Sequence, residues 1–420
     1  MKFSSKNFHA SKAFQGFLDV GSFKTVCLIA KLDKKTLPER IVGVGISRSS
    51  GIRSGLIVDI SAAQECIRKV VADAEKMAGV QLSEIDVALN CGNQKSQAFK
   101  ISLSVPSGTI DTATLSLLNQ KAIDHAGSGR GYLVHINPVT YRLKGGSTAT
   151  LKPVGLSSDA LSGFFHAVTA DFPAVTNLFQ TLDRSYLSPD GVLPAGYASA
   201  LAVTEEDERN SGVIVIDIGS GLTNISAFTG GRFIFSETLS MGGGQITLDI
   251  AHVLRTPLEE AERIKTLYGT ILCAPSNQYD VFTYMCREGG GISEQSATLS
   301  ELSRVIGSRV TVLLNLAYER LSQSGILNNF MGSIVLCGGS SKLRGITSLA
   351  ETIFKTNVRA GQPLHVSGLP PMLSSSEFSC VVGLLRARLE NETGVSLSEH
   401  SRKPALGYLS RVGQWIREAF

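Results

Sequence analysis

Two apolar runs in this chain end in the same way. Residues 17–25 read FLDVGSFKT and residues 213–224 read VIVIDIGSGLTN. Each is an apolar stretch closing on Asp, one further apolar residue, then Gly and Ser. A third run, 334–341, reads IVLCGGSS and enters a glycine pair. Short apolar runs bounded by such turn residues predict strands. The stretches 17–30 and 41–46 predict strands of one sheet, and 85–89 predicts a further strand. Ala62, Cys66, Val70 and Ala74 recur at helical spacing and predict a helix over 59–77, with Ser61 as its cap. From about 90 to 170 the pattern changes to short strands (FKISLSV, YLVHINPVTYRL, GFFHAVTA), a polar helix near 112–126 and glycine-rich joints. That change predicts an inserted subdomain. Residues 171–182 predict a helix, 191–203 form a stretch of small residues, and 205–209 (EEDER) read as a charged link.

Beyond the hairpin at 213–240, a glycine turn leads into a helix over 241–254 (MGGGQITLDIAHVL), and 257–268 predicts a second helix. Short strands or loops fill 271–298, a long amphipathic helix covers 300–321, and 343–356 predicts another helix. Residues 390–404 are polar, end at Pro404, and precede a terminal apolar-polar block at 405–420. Strands alternate with helices, and an Asp-Gly hairpin opens each half, so the pattern predicts a duplicated α/β fold. The offset from Asp19 to Asp217 is too large for a solenoid repeat and indicates duplication of a domain.

Composition narrows this picture. With 420 residues, 43% of them hydrophobic and 18% charged, the chain can bury more than one core. A net charge of +4 and the absence of a basic stripe with interleaved aromatics argue against nucleic acid as a partner. Seven scattered cysteines without CxxC spacing predict reduced, buried thiols in a cytosol. The first sixteen residues lack the apolar run of a secretory signal, and no stretch of about 18 apolar residues is present to span a bilayer.

The glycine turns suit a nucleotide. A polyphosphate needs backbone N–H groups with no side chain in the way, which Gly21, Ser22, Gly219, Ser220 and Gly221 offer. The hydroxyls of Ser22, Ser220 and Thr223 can donate to phosphate, and Lys24 adds a point charge. Asp19 and Asp217 would face each other across a cleft and hold the water shell of Mg²⁺. Gly338, Gly339 and Ser340 would border base and sugar, as would Gly243 in the GGG turn. Glu262 and Lys265 lie three apart on one helix face and could grip ribose and base edge, or form an ordinary solvated pair. His166 sits in an apolar strand and reads as packing.

Taken together, the two Asp-Gly hairpins and the late glycine pair resemble the phosphate and adenosine motifs of the actin-like ATPase superfamily. Residues 41–60 (IVGVGISRSSGIRSGLIVDI), 216–233 (IDIGSGLTNISAFTGGRF), 256–265 (TPLEEAERIK) and 334–346 (IVLCGGSSKLRGI) are similar to the FtsA cell-division proteins, and the likeness runs over nearly the whole chain. The resemblance implies two ribonuclease-H-like halves, with 1–89 and 172–210 in the first (1A) and 211–244 and 311–389 in the second (2A). It implies inserted subdomains at 90–171 (1C) and 245–310 (2B), a linker at 390–404 and an amphipathic membrane-targeting helix at 405–420. It also implies a cytoplasmic ATP-binding protein that polymerises on the inner face of the membrane at the division site. Such a protein tethers FtsZ through the FtsZ C-terminal tail and recruits later division proteins through 90–171. The FtsZ contact falls within roughly 245–310, where Arg304 and Arg309 on the long helix are candidates for meeting an acidic-apolar tail.

Two positions depart from the superfamily pattern. Asn224 stands where the second phosphate motif more often has Asp, and Pro194 stands where related ATPases carry the residue that orients the attacking water. No side chain in 191–203 replaces it, and such help is worth about 10²–10⁴-fold. Weak hydrolysis is therefore expected, with ATP as an assembly ligand. A phosphotransferase of the same superfamily is the alternative, as is a pilus-assembly relative, which the terminal helix argues against.

In that terminal block Leu409, Val412, Ile416 and Phe420 recur every three or four residues, with Trp415 beside them and Arg411 and Arg417 on the other face. This is the pattern of an interfacial anchor. A helix of this length is marginal in water, so one copy should bind lipid reversibly and a filament should bind firmly through effective concentration.

Overall fold

Strand Phe14–Val20 separates its side chains by parity: Phe17 packs toward one core and Leu18 and Val20 toward another. It forms an antiparallel hairpin with Lys24–Leu32, which pairs in turn with Pro38–Arg48. On its other edge lie Glu84–Leu89 and then Ser188–Pro194, both parallel. In the computed structural model, which describes residues 13–390 except 34–36, 91–92, 130, 145–148, 273–275, 277–278 and 289–290, the same arrangement occurs a second time. Val213–Ile218 pairs antiparallel with Thr223–Thr229, which pairs with Arg232–Leu239. Ser333–Cys337 and Val358–Ala360 extend the sheet in parallel on the other side. The two five-stranded sheets thus share one topology, that of the ribonuclease-H-like half, each with its Asp-bearing strand at the centre.

The inner faces of the two sheets meet through two helices, Ala195–Val203 and Ser379–Leu389. Phe17, Val26 and Leu28 of one sheet and Val213, Val215 and Val335 of the other join this shared core. Every residue of Ala195–Val203 is buried. The stretch of small residues seen in the sequence is therefore the end of a strand followed by a helix buried on all sides. Its smallness is what lets the partner helix approach: a Cβ on Gly383 would lie 1.7 Å from the carbonyl oxygen of Ala198. Helices Ile60–Ala78 and Phe172–Arg184 cover the outer face of the first sheet. Gly243–Val253, Leu258–Tyr268, Leu299–Gln323 and Ile346–Phe354 contribute to the outer core of the second.

Three arginines close the far end of the buried helix. Arg386 donates to the Leu201 carbonyl at 2.9 Å, Arg359 to that of Val203 at 2.7 Å, and Arg209 to that of Thr204 at 2.7 Å. Unpaired carbonyls at a helix C-terminus attract cations. Glu390 and Glu208 balance the charge. The EEDER segment is thus more than a link: Glu205 and Glu208 form a capping box on helix Glu206–Ser211, and Arg209 turns inward. Other local expectations shift in the same way. Asp59, held extended, caps the first helix in place of Ser61, accepting from the Ala62 N–H at 3.1 Å. Residues 281–298 form one hairpin, Val281–Glu288 with Gly291–Thr298. The helix expected from 343 starts at Ile346, because Gly345 takes a left-handed φ of 85°.

Strands Lys95–Ser104, Gly131–Leu143, Ala149–Thr150 and Ala160–Asp171 form a separate four-stranded sheet backed by helix Thr112–Gly127. It touches the second half through Ser96, which accepts from the Ser236 N–H at 3.1 Å, and Asn137, which donates to the Phe233 carbonyl at 3.1 Å. His135 and His166 pack there around Phe233. Burial pushes His135 down to about 4 and His166 down to about 3, so both are neutral packing residues at physiological pH. The segment 391–404 and the terminal block 405–420 lie outside the described residues.

Gly383→Val should lower the thermal midpoint by roughly 5 °C or more, because neither backbone can retreat without parting the sheets. A melting curve superimposable on that of the unsubstituted chain would contradict this account of the inner layer.

Candidate functional site

Strand parity carries two carboxylates into the space between the halves. Val213 and Val215 face the inner core, so Asp217 does also, while Ile214, Ile216 and Ile218 face outward. By the same count Asp19 follows Phe17. Both carboxylates are 8% exposed. Burial pushes each up to about 6, and the charge of Asp217 adds to the effect on Asp19. Ser199 of the buried helix donates to Asp217 at 2.6 Å, and Asn90 donates to Asp19 at 2.7 Å. The Cys380 thiol also hydrogen-bonds Asp19. Asn224 donates to Asn90 at 3.4 Å and accepts from Thr238 at 2.9 Å, which carries the network from one half to the other.

The glycine passages converge beside these carboxylates. Gly243 and Gly244 donate their N–H groups to the carbonyls of Gly219 at 2.8 Å and Ser220 at 2.7 Å. Ser340 donates to the same Gly219 carbonyl at 3.2 Å. A Cβ on Gly338, whose φ is 83°, would lie 2.3 Å from an Asp217 oxygen, and one on Gly243 would lie 2.1 Å from Ser340 Oγ. Only glycine permits these approaches. The first turn is braced by Ser49, which donates to the Gly21 carbonyl at 2.6 Å, and by Ser22, which accepts from the Gly55 N–H at 2.9 Å. The two turns touch: a Cβ on Gly221 would lie 2.5 Å from Ser22 Oγ.

The remaining predicted residues fall in several places. Lys265 donates to Glu262 at 2.7 Å, to Thr247 at 2.8 Å and to the Gly243 carbonyl at 3.1 Å, so that pair braces the GGG turn. Thr223 donates to the Met241 carbonyl at 2.8 Å, and its hydroxyl is already engaged there. Lys24 stands 3.3 Å above the Phe378 ring and 3.4 Å from Glu377, with Gly339 beside Glu377. Arg304 lines a hollow together with apolar Ile250, Val253 and Leu254 and with Tyr284, Ser296 and the acidic Glu301. Arg309 makes a two-pronged pair with Asp249, at 2.5 and 2.9 Å. Leu409, Arg411, Val412, Trp415, Ile416, Arg417 and Phe420 lie outside the described residues. Asn90, Ser199, Glu377 and Cys380 were not expected at the site. The one serine within AGYASALAV was a signal for Ser199; the other three are brought in from distant segments.

Among the described residues no group of three or more His, Cys, Asp or Glu could hold a metal. Two carboxylates alone fit a hard, largely hydrated dication such as Mg²⁺, which is held by one or two carboxylates together with phosphates. No helix among the described residues is long and apolar enough to cross a membrane.

Comparison with known proteins places this architecture. Residues 214–383 match the family model "Cell division protein FtsA". The FtsA of Rhizobium meliloti (strain 1021) is 31% identical over 422 residues, covering 96% of this chain and 94% of that relative. The chain belongs to the FtsA cell-division family. The FtsA of Escherichia coli (strain K12) is 29% identical, with 96% and 97% covered. Among solved structures, the PilM–PilN type IV pilus biogenesis complex aligns with a TM-score of 0.63 at 17% identity, over 89% of this chain and 98% of that one. MreB 5 of Spiroplasma citri bound to AMPPNP aligns with a TM-score of 0.51 at 15% identity, over 91% and 97%. An FtsA-family chain thus has the actin-like fold in two matched halves, with its two Asp-Gly turns between them.

Both carboxylates titrate above their ordinary 3.8, so each favours folding below that pH and loses its contribution as pH rises through about 6. Without Mg²⁺ or nucleotide, Asp217→Asn should stabilise the chain at pH 7.5 by on the order of 1–3 kcal/mol, read as a higher thermal midpoint, with most of the gain gone at about pH 4. Equal effects at both pH values in scanning calorimetry would refute the assignment.

Proposed function

We propose that this chain is an ATP-binding, actin-like division protein that polymerises on the inner face of the cytoplasmic membrane at the division site. There it anchors FtsZ filaments and recruits later division proteins through 90–171. The observation that carries the nucleotide reading is the convergence of three distant glycine passages on Asp19 and Asp217 between two matched halves. MreB 5 of Spiroplasma citri, of the same fold, has been solved with ADP and with AMPPNP.

In this reading the N–H groups of Gly21, Ser22, Ser220 and Gly221 cradle the phosphates, as backbone nests do, while the Gly219 N–H donates to the Leu222 carbonyl at 2.9 Å and shapes the turn. Asp19 and Asp217 hold the water shell of Mg²⁺, whose charge would draw both carboxylates to their ionised form. Gly338, Gly339 and Ser340 border the sugar and base, with Glu262 and Lys265 behind the GGG turn. Thr223 contributes through the turn it braces, because its hydroxyl already donates to Met241. Lys24 completes the set from the first hairpin. Hydrolysis is slow, because Pro194 caps the buried helix and the Ser199 hydroxyl within that helix already donates to Asp217. ATP then acts mainly as an assembly ligand.

The hollow beside Arg304 is the place for the acidic-apolar tail of FtsZ: Ile250, Val253 and Leu254 take the tail's apolar side chains and the guanidinium meets its acid in competition with Glu301. Arg309 is the weaker of the two candidates, since Asp249 neutralises it. The terminal helix 405–420 inserts Leu409, Val412, Trp415, Ile416 and Phe420 into the lipid interface, with Arg411 and Arg417 toward the headgroups.

In the test, purified chain should bind Mg²⁺–ATP, turn it over at no more than roughly one per second, and co-sediment with anionic liposomes. Trp415→Glu should abolish co-sedimentation and leave ATP binding intact. Unchanged sedimentation would remove the anchor from the proposal, and a turnover of several per second would remove the weak-hydrolysis reading. Arg304→Glu should weaken binding of an FtsZ tail peptide by about tenfold or more, while Arg309→Glu should weaken it less; undiminished affinity in Arg304→Glu would exclude the hollow.

A further inference from the structure

Lys24 opens the second strand of the first hairpin, and its ammonium is already engaged. It lies over the Phe378 ring, 3.3 Å from the centroid, and 3.4 Å from Glu377. Glu377 also accepts from Lys342 at 2.9 Å, and Lys342 donates to Ser375 at 3.1 Å. Glu377 and Phe378 immediately precede helix Ser379–Leu389, whereas Lys24 belongs to the first sheet. One carboxylate therefore holds two cations beside Gly339, at the edge of the converging glycine turns. Against the push of burial, the two lysines keep Glu377 below the usual carboxylate range, so it is ionised. Burial lowers Lys24 from its ordinary value while Glu377 opposes the shift.

We infer that Glu377 is an internal stand-in for phosphate, pairing with Lys24 when no nucleotide is bound and yielding it to the polyphosphate when one binds. The inference rests on the nucleotide reading of the site. Lys24 is the cation that the first hairpin offers to phosphate, and it already has an anion. A polyphosphate that claims Lys24 must outcompete a carboxylate, while Lys342 remains as the partner that keeps Glu377 charged and in place. Adenosine, which lacks phosphate, has nothing to displace. Glu377 thus lowers affinity for the phosphate chain specifically, and its link across Lys24 helps hold the halves together in the empty state.

The test is calorimetric titration of the full chain with Mg²⁺–ATP and, separately, with adenosine. Glu377→Gln should tighten ATP binding by roughly two- to fivefold, the worth of one partly exposed ion pair, and leave adenosine affinity unchanged. Glu377→Asp should remain near the unsubstituted value. Lys342→Met, which leaves Glu377 to Lys24 alone, should weaken ATP binding and supplies a result of opposite sign if Glu377→Gln does not fold. In a Lys24→Met background the gain from Glu377→Gln should vanish. An unsubstituted chain that binds ATP, with Glu377→Gln tightening neither or both ligands, overturns the stand-in role alone. If the unsubstituted chain binds no ATP, the nucleotide reading falls and this role falls with it.

Discussion

Two five-stranded sheets are held at a short distance by a pair of helices that meet backbone to backbone where Gly383 faces Ala198. The carbonyl of Ala198 occupies the space that any side chain at position 383 would need. This contact sets how closely the inner faces approach, and with it where the ends of the two central strands lie. Helix Ala195–Val203 is satisfied at its far end by Arg209, Arg359 and Arg386 and contributes Ser199 to Asp217 at 2.6 Å. One element therefore serves as packing layer and as ligand to a site carboxylate. Arg388 adds a further tie from helix Ser379–Leu389 to the first sheet, reaching Asp86 at 2.8 Å and Asp190 at 3.1 Å.

Bringing the strand ends together has an electrostatic cost. Asp19 and Asp217 are both buried and both held near 6, although neutral donors (Asn90, Ser199 and the Cys380 thiol) and, at Asp19, the charge of Lys24 soften the effect. A site built this way is less stable empty at neutral pH than it would be with amides in place of acids. That is the expected signature of carboxylates arranged for a cation the fold itself does not supply. The nearest ammonium, Lys24, is engaged elsewhere with Glu377. Binding and closure are then linked through the same few groups: the turns that would cradle phosphate already touch at Gly221 and Ser22, and the Asn90–Asn224 bond crosses between the halves.

Much of this was legible along the chain, because it depends on local pattern. Apolar runs ending in Asp-x-Gly marked both central strands, their repetition marked the duplication, and period-2 alternation decided that each Asp shares a face with the core valines or Phe17. Helical spacing marked the amphipathic helices to within a few residues. Other parts could not be read this way. An alanine-rich helix buried on every side has no polar face, so 195–203 carried no periodic signal. Arg209 looked solvated because its neighbours are charged; only the helix end it caps explains its burial.

The sequence by itself determined the two hairpins, their matched chemistry and the order of the glycine passages, since backbone turns and strand parity are set by residues a few positions apart. Tertiary structure alone decided which hydroxyls remain free, which cations are already paired, and which distant side chains complete the carboxylates. Asn90, Ser199, Glu377 and Cys380 reach Asp19, Asp217 and Lys24 from segments up to hundreds of residues away. Hydrogen bonds and ion pairs act over a few ångströms of space, and nothing in chain spacing encodes that proximity until the two helices have drawn the sheets together.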